Sequence, residues 1–340
     1  MHLEPKKLNL LSLDGGGIRG LSSLYVLKQM MEAIDPDQPP KPCEVFDMIG
    51  GTSTGGLIAI MLGRLKMDVD QCIDAYYRLS KQAFTRKSFF PVTIRGGFNA
   101  RFDSKKLEQA LKTVIAEQGL DEDALLQDPD ASCHVFVCAT RTTTGSTTSF
   151  TSFYHLRGET HLYRVMKIWE AGRATSAAPS FFDPLMIIDS VMRNERRFID
   201  GALGANNAVR KVWEHAMDVW KSDRFEKSES GRFEDQLGCL VSIGTGTPPE
   251  MQYTRGIFQT LKLKKGLVTD TEVEAEDFAE EHANLVDEHR YFRFNVPGGL
   301  AQIGLEEIKK INQIELETNK YLAAEAVSQE IDICARSLRR

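Results

Sequence analysis

Two short stretches of this chain combine residue types and spacings suited to acyl transfer. Ser53 sits in Gly51-Thr52-Ser53-Thr54-Gly55. This Gly-x-Ser-x-Gly spacing fits a nucleophile elbow, a tight strand-to-helix turn that points the serine hydroxyl outward. Gly51 and Gly55 leave room where side chains would collide with the helix or the neighbouring strand. The second stretch, Asp14-Gly15-Gly16-Gly17-Ile18-Arg19-Gly20, exposes backbone N–H groups at a helix start and so makes a cradle for an anion.

The elements that must position these residues are legible around them. Val45 to Ile49 reads as a buried strand, and the apolar spacing from Leu57 to Leu62 reads as the helix that follows. That helix directs the positive end of its dipole at charge developing beside Ser53. Leu8 to Leu13 and Leu21 to Ile34 repeat the order of strand, glycine loop and helix. Two other readings stand beside the chemical one. The serine turn can be a plain connection between buried elements. Gly15-x-Gly17-x-x-Gly20 also fits a dinucleotide fingerprint, which would make the chain an oxidoreductase. That fingerprint asks for an acidic residue at the end of a second strand, whereas the corresponding region here is a helix followed by the loop Asp35 to Pro40.

Together, the glycine loop and the serine elbow resemble the patatin-like phospholipase family. Two further blocks match the same pattern: Trp169 to Pro179, a helix running into small residues and proline, and Asp200-Gly201-Ala202. Val241 to Gly246 and Tyr291 to Phe294 resemble the family's C-terminal strands. The resemblance implies an α/β fold of three layers, α/β/α, around a central, mostly parallel sheet. It also implies a Ser-Asp dyad, with Ser53 as nucleophile and Asp200 as base, acting on acyl esters of membrane phospholipids or lysophospholipids. In this reading the N–H groups of Gly15, Gly16 and Gly17, joined by that of Thr54, form the oxyanion hole. Arg19 braces the loop, Asp14 holds its backbone, and Gly51, Gly55 and Gly201 shape the turns. The rival mechanism is a Ser-His-Asp triad drawing on His215, His282 or His289, while His134 and His155 read as strand or loop histidines. A catalytically silent lipid-binding module is the rival of a different class.

Composition narrows the remaining classes. The chain has 340 residues, 42% hydrophobic and 26% charged, enough for one sizeable domain. A net charge of −6 argues against a general nucleic-acid binder, which needs a basic face. No secretory leader or spanning segment is visible, so a cytoplasmic protein with peripheral membrane contact is expected. Six cysteines without Cys-x-x-Cys pairs suggest neither disulfides nor zinc. No calcium loop is seen either, so the expectation is metal-independent catalysis without a cofactor.

Elsewhere, Asp103 reads as the cap of a helix from Ser104 to about Gln118, stopped by Gly119. Arg78, Lys81, Arg86, Lys87, Arg95, Arg101, Lys105 and Lys106 interleave with Phe84, Phe89, Phe90, Phe98 and Phe102. This pattern suits either an anionic membrane surface or a core rimmed by solvated charges. His134 to Thr140 reads as a strand, Arg141 to Ser149 as the turn after it, and Phe150 to Tyr154 as a return to the sheet. The charged stretches Ser222 to Asp235 and Lys265 to Glu281 read as surface loops. A catalytic domain over 1–325 is expected, with 326–340 as a terminal helix or a connector. The partners expected are phospholipid and either a second copy of the chain or fused regulatory domains.

Overall fold

The computed structural model describes residues 7–85, 100–155, 160–189, 194–224, 232–247 and 262–339. Eight strands form one sheet: β1 (Leu8–Leu13), β2 (Met48–Thr52), β3 (His134–Arg141), β4 (Thr147–Thr151), β5 (Leu185–Asp189), β6 (Asn194–Asp200), β7 (Leu237–Ile243) and β8 (Tyr291–Phe294). Their order is β5-β6-β3-β2-β1-β7-β8, with β4 also paired to β3. The run from β3 through β2, β1 and β7 to β8 is parallel, and β4, β5 and β6 add antiparallel pairings at the other end. β1 is buried along its whole length, as expected of a central parallel strand covered on both faces.

The helices are α1 (Gly20–Ile34), α2 (Pro42–Val45), α3 (Thr54–Ala59), α4 (Val69–Ala83), α5 (Ser104–Glu117), α6 (Thr160–Val165), α7 (Ile168–Thr175), α8 (Ala202–Ala205), α9 (Val209–Arg224), α10 (Lys262–Glu281), α11 (Ala283–Asp287), α12 (Ile311–Leu322) and α13 (Glu325–Leu338). The period-two alternation of the strands divides the core between the two faces. Leu11, Leu13, Ile49 and Val137 face a cluster built with α1, α3, α4, α5, α7 and α13. Leu8, Leu10, Met48 and Phe136 face a second cluster with α9, α10 and α11. This is the expected three-layer α/β/α arrangement.

Local chemistry sets several boundaries. Asp103 accepts the Lys105 N–H at 2.9 Å to start α5, and Gly119 follows the end of α5 at φ 76°. The segment after β3 departs from the expectation: β4 begins at Thr147, so the reversal is shorter and turns on Gly145 at φ 69°. Lys265 to Glu281, expected to be a loop, belongs to α10. Its acid-rich sequence hides a narrow buried stripe of Thr271, Ala275 and Phe278, with Phe278 stacked near Trp213 and Tyr291 at ring-centroid distances of 5.8 and 5.2 Å. One stripe at helical spacing is enough when the opposite face is solvated.

Of the interleaved aromatic and basic residues, Phe102 is buried and packs against Phe84, Phe181 and Phe182 at 5.2–5.8 Å between ring centroids. Arg101 lies over the Phe181 ring and pairs with Glu306 at 2.9 Å. Arg86, Lys87, Phe89, Phe90, Arg95 and Phe98 lie outside the described residues. Ile331, Cys334, Ala335 and Leu338 of α13 are buried in the main core, and the Leu338 carbonyl accepts from Asn9 Nδ2 at 3.2 Å. All six cysteines are buried thiols. Among the described residues, no helix is long and apolar enough to cross a membrane.

Candidate active site

The end of β2 carries Ser53 directly into α3. Ser53 has φ 55° and ψ −123°, an unfavourable conformation for a residue with a Cβ and one that the surroundings must impose. They do so from both sides. A Cβ on Gly55 would lie 2.2 Å from the Leu13 carbonyl oxygen, and one on Gly51 would lie 2.4 Å from the Gly55 carbonyl oxygen. Only the bare glycines let α3 start this close to β1. Thr175, at the end of α7, accepts the Ser53 N–H at 2.8 Å and donates to the Cys138 carbonyl at 2.7 Å.

Asp200 ends β6 and is 3% exposed. Its Oδ2 accepts the Ser53 hydroxyl at 2.6 Å, and its Oδ1 accepts the Ala202 N–H at 2.9 Å. Gly201 directly precedes α8, its carbonyl accepting from the Gly204 and Ala205 N–H groups. Burial pushes the Asp200 carboxyl up to about 7, and the bonds from Ser53 and Ala202 only partly oppose that rise. A carboxylate poised near neutrality can take up a proton, which the ordinary exposed aspartate does poorly.

The glycine loop crosses in front of this pair, and each of its carbonyls is held by a side chain. Thr245 donates to the Gly15 oxygen at 2.9 Å, Arg19 Nε to the Gly16 oxygen at 3.1 Å, and Tyr76 and Thr54 to the Gly17 oxygen at 2.8 and 2.9 Å. In a trans peptide the N–H points opposite to the C=O. Thr245 therefore orients the Gly16 N–H, and Arg19 orients the Gly17 N–H. Among the described residues neither N–H makes a hydrogen bond. The N–H of Thr54, the first residue of α3, has no acceptor within its helix. Gly15 departs from the expectation for the oxyanion hole, because its N–H is engaged by the Asn206 carbonyl at 3.2 Å, which ties the loop to the segment after α8. Gly17 has φ 58°, and a Cβ there would lie 2.4 Å from the Leu305 carbonyl oxygen.

Asp14 also differs from its expected role. Its side chain does not hold the loop backbone: Oδ2 pairs with Arg293 of β8 at 2.7 Å, and Arg293 also pairs with Glu272 of α10. Burial pushes Asp14 up to about 6, with Arg293 opposing the rise. Arg19 is 4% exposed, so it is a buried brace and not a surface arginine.

Two cavities meet at Ser53. The larger, about 480 Å³, is lined by Gly16, Gly17, Asp200, Leu203 and Leu305 among others. The smaller, about 40 Å³, runs between Leu57, Leu79, Phe84, Leu107 and Phe182 and is almost wholly apolar. His215, His282 and His289 line neither cavity. His215 and His282 pack instead among rings of the layer formed by α9 and α10. The glycine loop opens on Ser53, and β2 ends in no acidic residue, so the dinucleotide arrangement is not built. Among the described residues, one group of side chains has the makeup of a metal site, His155 with His215 and Asp218, and it lies outside both cavities.

Spacing alone could not single out Thr175, Thr245, Tyr76, Asn206 or Arg293, because each meets the site from a distant segment. Thr175, Thr245 and Arg293 fall within blocks that the family resemblance marks, Trp169 to Pro179, Val241 to Gly246 and Tyr291 to Phe294, whereas Tyr76 and Asn206 fall in none.

Comparison with known proteins agrees with this geometry. The chain is 28% identical over 330 residues to the calcium-independent phospholipase A2-gamma of Mus musculus, covering 94% of this chain and 39% of that protein. It is 26% identical over 374 residues to phospholipase A I of Arabidopsis thaliana, covering 92% of this chain and 26% of that protein. It is 32% identical over 216 residues to the cGAMP-activated phospholipase of Vibrio cholerae, covering 61% of this chain and 56% of that protein. The chain therefore spans about two fifths of the length of the first of these relatives. The family model described as patatin-like phospholipase matches residues 11–213, a stretch that holds the glycine loop, the serine elbow and the Asp200 strand end, and the chain belongs to the patatin-like phospholipase family.

Proposed function

We propose that this chain hydrolyses fatty-acyl esters of membrane phospholipids or lysophospholipids through an acyl-enzyme on Ser53, with Asp200 as the base. The observation that carries the reading is the 2.6 Å hydrogen bond from the Ser53 hydroxyl to a buried carboxylate, with no histidine between them. Ser53 Oγ attacks the ester carbonyl as its proton passes to Asp200. The negative charge that develops on the carbonyl oxygen is met by the N–H groups of Gly16 and Gly17, with that of Thr54 at the start of α3. Asp200 then returns the proton to the departing alcohol, for a phospholipid the lysophospholipid, and the acyl group stays on Ser53. Water attacks the acyl-enzyme as Asp200 takes its proton, Asp200 passes that proton to Ser53 Oγ as the acyl–oxygen bond breaks, and the fatty acid leaves with both residues restored.

The larger cavity, with Ala178, Phe181, Leu203, Ile303 and Leu305 in its lining, is of a size that suits the lipid substrate, and the small apolar recess beside Ser53 has room for only a few carbons of an acyl chain. Leu203, 53% exposed and lining the larger cavity, suits peripheral contact with a bilayer. No step requires a divalent ion at Ser53. The similarity to proteins called calcium-independent phospholipase A2 and cGAMP-activated phospholipase supports the same substrate class. In this reading the chain serves as the effector module of a larger signalling or immune protein.

The test is to incubate the parent protein, Ser53→Ala and Asp200→Asn in EDTA with phospholipid vesicles carrying distinguishable acyl chains, and to identify the products by mass spectrometry. Fatty acid and lysophospholipid are expected from the parent and neither from the variants. Equal product from Asp200→Asn would remove Asp200 from the chemistry. No product from any protein, with lysolipid and short-chain esters included, would favour a silent lipid-binding module.

A further inference from the structure

Behind the sheet, on the face away from α3 and α4, His155 follows β4 while His215 and Asp218 stand three residues apart on α9. A spacing of i, i+3 puts His215 and Asp218 on one side of the helix. One ligand atom from each of the three residues lies within 4.8 Å of the other two. The rings of His155 and His215 meet edge to face at 4.8 Å between centroids. His215 is 6% exposed, and neither of its ring nitrogens has a hydrogen-bond partner; His155 Nδ1 is likewise buried without one. Imidazole nitrogens hidden from water normally find a donor or an acceptor. Here Phe136 and Phe153 fill the space around His215, and neither offers a polar atom.

We propose that His155, His215 and Asp218 form a binding site for one divalent transition-metal ion, zinc in the first instance, separate from the Ser53 centre. Two neutral imidazoles and one carboxylate are a donor set that zinc and its neighbours accept readily. Zinc bonds of about 2.0–2.2 Å require tetrahedral ligands roughly 3.3 Å apart. The three atoms therefore need to close by at most about 1.5 Å. Burial holds His215 neutral, with its lone pair available; its pKa is pushed down to about 3 by desolvation first and by His155 and Lys211 after that. The Lys211 charge is itself paired with Glu214 at 2.6 Å. Water completes the coordination on the open side of Asp218.

The ion would cross-link the segment after β4 to α9. Asn206, whose carbonyl holds the Gly15 N–H, lies between α8 and α9, so the cross-link bears on a wall of the Ser53 cavity without touching the reacting atoms. The test uses untagged, metal-stripped full chain titrated with zinc chloride by calorimetry, with melting temperature measured in parallel. Cobalt(II) serves as a spectroscopic stand-in. One zinc per chain is expected, with a raised melting temperature and visible cobalt bands of tetrahedral type. His155→Gln and Asp218→Asn, both at partly exposed positions, should each weaken zinc binding at least tenfold and abolish the thermal shift; circular dichroism checks that both remain folded. No zinc uptake by the folded parent, or uptake that both variants leave unchanged, overturns the proposal. Neither readout depends on ester hydrolysis, so the site stands or falls apart from the proposed activity.

Discussion

Asp14 and Asp200 are two buried aspartates at strand ends on either side of the glycine loop, and they have opposite surroundings. Asp14 lies beside the Arg293 guanidinium at 2.7 Å, while Asp200 has a serine hydroxyl and one backbone N–H. Burial raises both, Asp14 to about 6 and Asp200 to about 7. The difference lies in what each would lose on protonation. A proton on Asp14 would break an ion pair that anchors β1 to β8, so this carboxylate is structural. A proton on Asp200 breaks no ion pair, which suits that carboxylate to the proton exchange with Ser53 that we propose. The presence or absence of a cation separates the two roles more than burial does.

The comparison can be broken at either residue. The largest effect expected is on chemistry: Ser53→Ala and Asp200→Asn should each lower kcat/KM for a phospholipid ester by at least ~10³-fold, whereas Asp14→Asn should retain measurable turnover in steady-state assays. Equal losses at both aspartates would erase the distinction. Next in size is stability. Arg293→Leu leaves Asp14 unpaired in the interior, while the half-buried Glu272 keeps its bond from Asn295, and should cost about 3–5 kcal/mol in urea unfolding. Adding Asp14→Asn to that variant should recover part of the loss.

The third prediction concerns pH. Because Asp200 is raised in the folded state, kcat/KM should rise with pH and level off above about 7. Stability should move in the opposite direction. Below about 3.8 Asp200 is protonated in both states; between there and about 7 the unfolded chain releases a proton that the native chain keeps, so its contribution to stability falls. Asp200→Asn should therefore be more stable than the parent at pH 8, by about 2–4 kcal/mol, as read from unfolding curves at several pH values. An Asn variant that lost stability as pH rose just as the parent does would assign the effect to other groups. The smallest effect is at Thr245. Thr245→Val releases the Gly15 carbonyl and with it the orientation of the Gly16 N–H, and should lower kcat about 10–100-fold with KM nearly unchanged. A raised KM with unchanged kcat would instead make Thr245 a substrate contact.

Ser53 and the glycine loop were legible because each lies in one contiguous strand-loop-helix block whose apolar periodicity survives in the sequence, whereas Asp200 ends the mostly polar strand Asn194–Asp200 and was legible only through the Asp-Gly-Ala resemblance. What sequence left hidden was made by distant contacts. Nothing near Gly15 shows that its N–H is engaged by Asn206, and Arg293 in Tyr291-Phe292-Arg293-Phe294 reads as an alternating strand residue until β8 brings it near Asp14. α10 escaped notice because three small or aromatic residues bury it among many acids. His155 and His215 are sixty positions apart in sequence, with none of the close spacing that marks metal ligands.

The glycine loop is made well before two of its fastenings: Thr245 on the Gly15 carbonyl and Leu305, whose carbonyl takes the Ile18 N–H at 2.9 Å. At about 5–20 residues per second, ribosomes need roughly 15–60 s to travel from Gly17 to Leu305. A nascent chain already holding Ser53 and Asp200 therefore carries the glycine loop before these two fastenings exist, and the acyl hydrolysis we propose would wait until Leu305 is made.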